Sequence, residues 1–127
     1  MKEIIKTDKA PAAIGPYSQA VKVKTGHLIF CSGQISLDPV TGQVVGQTVE
    51  EQCRQVMENL KAVLKAAGAD FSDVVKATIY MADMADFAKI NGVYGGYFKN
   101  DPPARAAFAV KTLPKEVKVE IEVIASV

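Results

Sequence analysis

The chain has 127 residues, of which 49% are hydrophobic, and its 15 basic and 14 acidic side chains leave a net charge of +1. That length suits one domain over residues 1–127 with a single core, and the balanced charge gives no basic stripe of the kind a nucleic-acid binder uses. No apolar run nears the roughly 18 residues of a membrane span and MKEIIKTDK lacks the apolar segment of a secretion signal, so a cytoplasmic chain with neither membrane nor nucleic-acid partners is expected.

A short strand is expected near Ile4, followed by strands over Ser18 to Val23 and His27 to Cys31. Thr48 with Glu51 forms a capping box, Val49, Cys53, Val56, Leu60, Val63, Leu64 and Ala67 keep helical spacing, and Gly68 suits a left-handed helix end. Val74 to Met81 forms the next strand. A second helix begins after Asp83 or Asp86, with Phe87, Ile90, Tyr94, Tyr97 and Phe98 as its apolar stripe and a last turn loosened by Gly95 and Gly96. Arg105 to Val110 and Val117 to Ile124 complete the strands.

The order describes an α+β domain in which one mixed six-stranded sheet carries two helices on one face. Several strands are apolar at both parities, as in Leu28 and Phe30 against Ile29 and Cys31. Strands of that kind are normally covered on both sides, so the helix-free face is expected to be closed by further copies of the chain.

Cys31 and Cys53 stand outside any CxxC or Cys/His spacing, and His27, beside Gly26 at a turn, is the single histidine. No metal site is expected, and both thiols fit buried, reduced positions. Lys22, Lys24, Lys115 and Lys118 have the character of a solvated strand edge.

Chemistry concentrates in the last two strands. If PPARAAFAV and VKVEIEVIA form a hairpin in which Val110 meets Val117, Arg105 lies opposite Glu122 and Ala107 opposite Glu120. Arg105, Ala107, Ala109, Lys118, Glu120 and Glu122 then share one face, while Ala106, Phe108 and Val110 join the core. A cross-strand salt bridge between Arg105 and Glu122 is the plain structural interpretation. The functional one is a guanidinium that grips a ligand carboxylate while Glu120 acts elsewhere. Tyr17, Ser32 and Asn91 have equally plain alternatives as a packed aromatic, a turn residue and a helix-face residue.

PARAAFAVKTL, then five residues and VEI, resembles the signature of the RidA/YjgF family of reactive-intermediate deaminases, once called translation inhibitors. KAPAAIGPYSQAV, FCSGQISLDPVTGQVV and VVKATIYMADMADFAKIN look like family segments in the expected order, so the resemblance spans the chain. It implies a chorismate-mutase-like homotrimer with clefts between subunits and hydrolysis of 2-iminobutanoate and 2-iminopropanoate to 2-oxo acids and ammonia, without a cofactor. It also implies catalytic roles for Arg105, on the substrate carboxylate, and Glu120, on the attacking water. Tyr17 would close the cleft, and Ser32 and Asn91 would line it. Many members have a cysteine where this chain has Ala107, so only its backbone groups remain to bind the imine. A trimeric module that binds small carboxylates without turnover, and a translation inhibitor acting on RNA, are the competing functions.

Overall fold

The computed structural model describes residues 2–24 and 26–127. Helix α1 (Val49–Ala66) starts with the expected capping box: the Glu51 N–H donates to the Thr48 hydroxyl at 3.1 Å, and the Thr48 N–H donates to the Glu51 carboxylate at 3.0 Å. Gly68, at φ 79°, takes the left-handed position just past its end. The helix buries Cys53, Val56, Met57, Leu60 and Leu64, whereas Val63 is 38% exposed. Each such aliphatic side chain contributes about 1.5 to 3 kcal/mol when fully buried.

α1 packs on strands β3 (Leu28–Gln34) and β6 (Val119–Ser126). Along β6, Val119, Ile121, Val123 and Ala125 are buried against the helix, and Glu120, Glu122 and Ile124 alternate to the other side. Strand β4 (Val74–Met81) occupies the residues expected of it. Helix α2 (Phe87–Tyr94) starts after a short 3-10 turn and continues into another over Gly95–Tyr97, where the expected loosening falls. Strand β5 (Ala104–Ala109) follows.

Two expectations are overturned. Strands β1 (Lys2–Ile5) and β2 (Ala20–Val23) pair only with one another, so the sheet is not one of six strands but a pair beside a four-stranded mixed sheet of order β3-β6-β4-β5. Hydrogen bonds to backbone carbonyls hold this N-terminal arm at the β4 and β5 side. Lys2 Nζ donates to the carbonyls of Val74 and Asp101, both at 2.9 Å, and the Ser18 N–H donates to the Pro103 carbonyl at 3.0 Å. Nor do β5 and β6 form a hairpin. β5 runs parallel to β4, with α2 as the crossover, and β4 separates it from β6.

That order reverses the faces expected for β5. Arg105 aligns with Ala77 and Ala107 with Ile79, both β4 residues being fully buried, so Arg105 and Ala107 point to the helix side. Ala106 and Phe108 point away, and Phe108 is 52% exposed instead of joining the core. Phe30, at 71%, and Leu28, at 52%, lie on that same open face.

Candidate active site

The Arg105 side chain leaves β5 beside α2 and is half-buried. Its Nη1 donates to Asn91 Oδ1 at 2.5 Å. Three aromatic rings surround the guanidinium carbon, with centroids at 5.4 Å for Tyr17, 5.3 Å for Phe87 and 5.3 Å for Tyr94. Such contacts are attractive through the ring quadrupole, by roughly 0.5 to 2 kcal/mol each. Burial holds the group below its ordinary range, and the phenols of Tyr94 and Tyr17 work against that shift. Among the described residues, no carboxylate acts on it. A guanidinium so placed, with one neutral hydrogen-bond partner and planar N–H donors to spare, is suited to a planar anion.

Sequence supports this geometry locally. Asn91 and Phe87 are four apart on α2, hence on one helix face. Tyr94 follows Asn91 by three. The Gly15-Pro16-Tyr17 segment turns back on itself through a Tyr17 N–H to Gly15 carbonyl bond of 2.7 Å, which brings the Tyr17 ring over the cation. A cleft of about 820 Å³ opens beside Tyr17, between the arm and the Asp101-Pro102 approach to β5. Phe87 and Tyr94 went unassigned on sequence because an apolar helical stripe fits a core equally well.

Glu120 is elsewhere. It aligns with Tyr80 on β4, and Glu122 with Thr78, while Arg105 aligns with Ala77. Neighbouring residues on a strand point to opposite faces, so both glutamates lie on the open face and Arg105 on the helix face. The Arg105–Glu122 salt bridge is therefore absent. Glu122 instead accepts a hydrogen bond from the Tyr80 hydroxyl at 2.8 Å, which pushes that phenol above its ordinary range.

The Glu120 carboxylate lies against Gly33, where an added Cβ would collide with it. Gly33 sits in β3 where its pairing to β6 shifts register between Cys31 and Gln34. Ser32 is exposed beside it and lines, with Glu122, Thr78, Lys76 and Phe30, an open cavity of about 330 Å³. The signal for Gly33 was a glycine inside a strand pattern, which marks a bulge or a close approach. The expected site residues thus fall into two separate groups on one chain. Arg105, Tyr17, Asn91 and Ala107 are together; Glu120 and Ser32 are together on the other face.

Among the described residues no three or more His, Cys, Asp or Glu side chains are grouped to hold a metal ion. Nor, among the described residues, is any helix long and apolar enough to cross a membrane.

The chain is thus a two-layer α+β protein whose half-buried arginine is walled by aromatic rings. The family model described as Endoribonuclease L-PSP matches residues 7–127, and the chain belongs to this family, that of RidA and YjgF. It is 54% identical to a RutC family protein of Pyrococcus horikoshii over 125 residues, 98% of each chain. It is 52% identical to the 2-iminobutanoate/2-iminopropanoate deaminase of Mus musculus, over 98% of this chain and 91% of that one. The solved structure of YyfB from Yersinia pestis, of the conserved Rid family, matches with a TM-score of 0.91 at 31% identity, covering 99% and 98% of the two chains.

Proposed function

We propose that this chain hydrolyses 2-imino acids such as 2-iminobutanoate and 2-iminopropanoate to 2-oxo acids and ammonia, in clefts formed where one copy's Arg105 half-site meets the next copy's Glu120 half-site. The observation that carries the reading is Arg105 itself, a half-buried cation walled by three rings and held by a neutral amide, with no carboxylate among the described residues acting on it. A deaminase name on a relative 52% identical supports the same chemistry.

Placement supports assembly. Arg105 and Glu120 leave opposite faces of the sheet from strands two spacings apart, about 10 Å, so they meet only across two chains. Leu28, Phe30 and Phe108 give the Glu120 face the apolar character of an interface. A cyclic homotrimer satisfies every such pairing with one repeated contact.

In the cleft, Arg105 binds the carboxylate and Asn91 fixes the guanidinium plane. Ser32 lines the opposite wall. β5 is an edge strand, so backbone groups beside Ala107 are available to the imine nitrogen. Glu120 accepts a proton as water oxygen bonds to the imine carbon. With the imine protonated on nitrogen, that addition gives a neutral carbinolamine. Glu120 returns its proton to the nitrogen, the C–N bond breaks as the hydroxyl oxygen forms C=O, and the carboxylate so freed takes the hydroxyl proton and passes it to the departing ammonia. Water is the only co-reactant consumed. The cytoplasm is the proposed compartment.

The test uses a dehydratase to release 2-aminocrotonate or 2-aminoacrylate in a buffer that limits spontaneous hydrolysis. Wild type should speed 2-oxo acid formation. Arg105→Ala should lower kcat/KM about ten- to a hundredfold or more, the worth of a charge-assisted bidentate contact. Near-full activity in that variant overturns the assignment, and binding of 2-oxobutanoate without turnover by wild type would favour a carboxylate-binding module.

A further inference from the structure

Gly95 lies at the C-terminal end of α2 with φ −61° and ψ −27°, an ordinary right-handed conformation open to any residue. Backbone geometry therefore gives no reason for glycine there, and glycine weakens a helix end that alanine would strengthen. What a side chain larger than a methyl would meet there is Pro16. A Cβ added at Gly95 would stand 3.4 Å from Pro16 Cβ and 3.6 Å from Pro16 Cγ, whereas one added at Gly96 meets nothing within 4 Å.

Pro16 belongs to the run Gly15 to Ser18, which passes beside Arg105 and the approach to β5. A Cβ at Gly15 would lie 3.5 Å from Arg105 Nη2, Pro16 rests on Gly95, and the Tyr17 ring covers the guanidinium. Ser18 ties the segment to the approach of β5, its N–H donating to the Pro103 carbonyl and its hydroxyl to that of Pro102. The segment is thus clamped at one end by the β5 approach and seated at the other on α2, the helix that also supplies Phe87, Asn91 and Tyr94.

We propose that Gly95 is a positioning residue: its missing side chain is the seat for Pro16, and the depth of that seat sets the Tyr17 ring over Arg105. A methyl at 95 makes ordinary contact and is tolerated. A β-branched side chain, whose two γ carbons cannot both turn away, lifts Pro16 and the ring beside it. The effect on turnover rests on the deaminase reading; the placement of Tyr17 does not.

The chain has arginine only at positions 54 and 105, so the Arg105 Nε and Cζ resonances are assignable by comparison with Arg105→Lys. In the ligand-free full chain, Tyr17→Leu should move them by removing its ring current. Gly95→Val should move them in the same sense, Gly95→Ala and Gly96→Val should not, and Gly95→Val should add nothing in the Tyr17→Leu background. In the imine assay Gly95→Val should raise KM about three- to tenfold with kcat little changed, as loss of one ring contact on the cation predicts. If Gly95→Val does not fold, Pro16→Ala probes the same seat from its other side. Unchanged Arg105 resonances in these variants, or shifts that add fully to those of Tyr17→Leu, overturn the proposal. Absence of imine hydrolysis by wild type overturns the deaminase reading and leaves the resonance result standing.

Discussion

Arg105 aligns with Ala77 on β4, and Glu120 aligns with Tyr80, three residues further along and on the opposite face of the sheet. Mixed assemblies are therefore expected to recover activity. Arg105→Ala and Glu120→Ala chains, each strongly impaired alone, should together regain roughly a quarter of wild-type turnover when unfolded, combined in equal amounts and refolded. With random assortment, each interface finds an intact Arg105 in half of cases and an intact Glu120 in half. Steady-state rates on the refolded mixture measure this, and no recovery would mean that the two residues do not act across chains.

Asn91 holds the guanidinium with a neutral oxygen, and Asn91→Asp would replace it with a charged one at the same 2.5 Å position. The cation would then be paired before ligand arrives. The dissociation constant for 2-oxobutanoate, by calorimetry, should rise about tenfold or more, with the fold retained.

Tyr94 is fully buried, and its hydroxyl has no hydrogen-bond partner among the described residues. Tyr94→Phe removes an unsatisfied polar atom and keeps the ring against Arg105. Thermal and denaturant unfolding should show the variant more stable by about 1 kcal/mol, the lower end of the cost of a buried unpaired hydroxyl.

Alkali should weaken the fold in a defined window. Burial pushes the Cys53 thiol up from 9.0 to about 12, and burial followed by the hydrogen bond to Glu58 pushes Tyr97 up from 10.0 to about 12. The folded chain holds these protons more tightly than the unfolded one. Their stabilisation is complete below about pH 9 and is lost as pH rises toward 12. Melting temperatures taken from about pH 8 to pH 11 should fall more steeply for wild type than for Cys53→Ala.

Local signals in the sequence carried far. Thr48, Glu51 and Gly68 bounded α1, Val74 and Met81 bounded β4, and the alternation of β6 put Val119, Ile121 and Val123 in the core. The error was one of neighbours. Strand, helix, strand is the pattern of a parallel crossover, and β4, α2 and β5 obey it. Taking β5 with its successor in sequence instead put Phe108 inside and Arg105 beside Glu122. The Leu113 side chain is buried in the connection, and a 3-10 turn over Pro114–Glu116 follows it, so that segment links two strands separated by β4. Placement of the arm was not legible either, because it depends on Lys2 and Ser18 meeting backbone carbonyls far along the chain.

The aromatic walls around Arg105 also bear on what is turned away. Rings at 5.3 and 5.4 Å exclude much of the solvent that would otherwise satisfy the guanidinium, while offering only one neutral acceptor in exchange. A neutral aldehyde-derived imine or an amine cation entering the cleft would strip water from Arg105 and return nothing to it. An acid group repays that loss directly. On the proposed reading the enclosure acts as a charge filter that turns away Schiff bases lacking a free carboxylate.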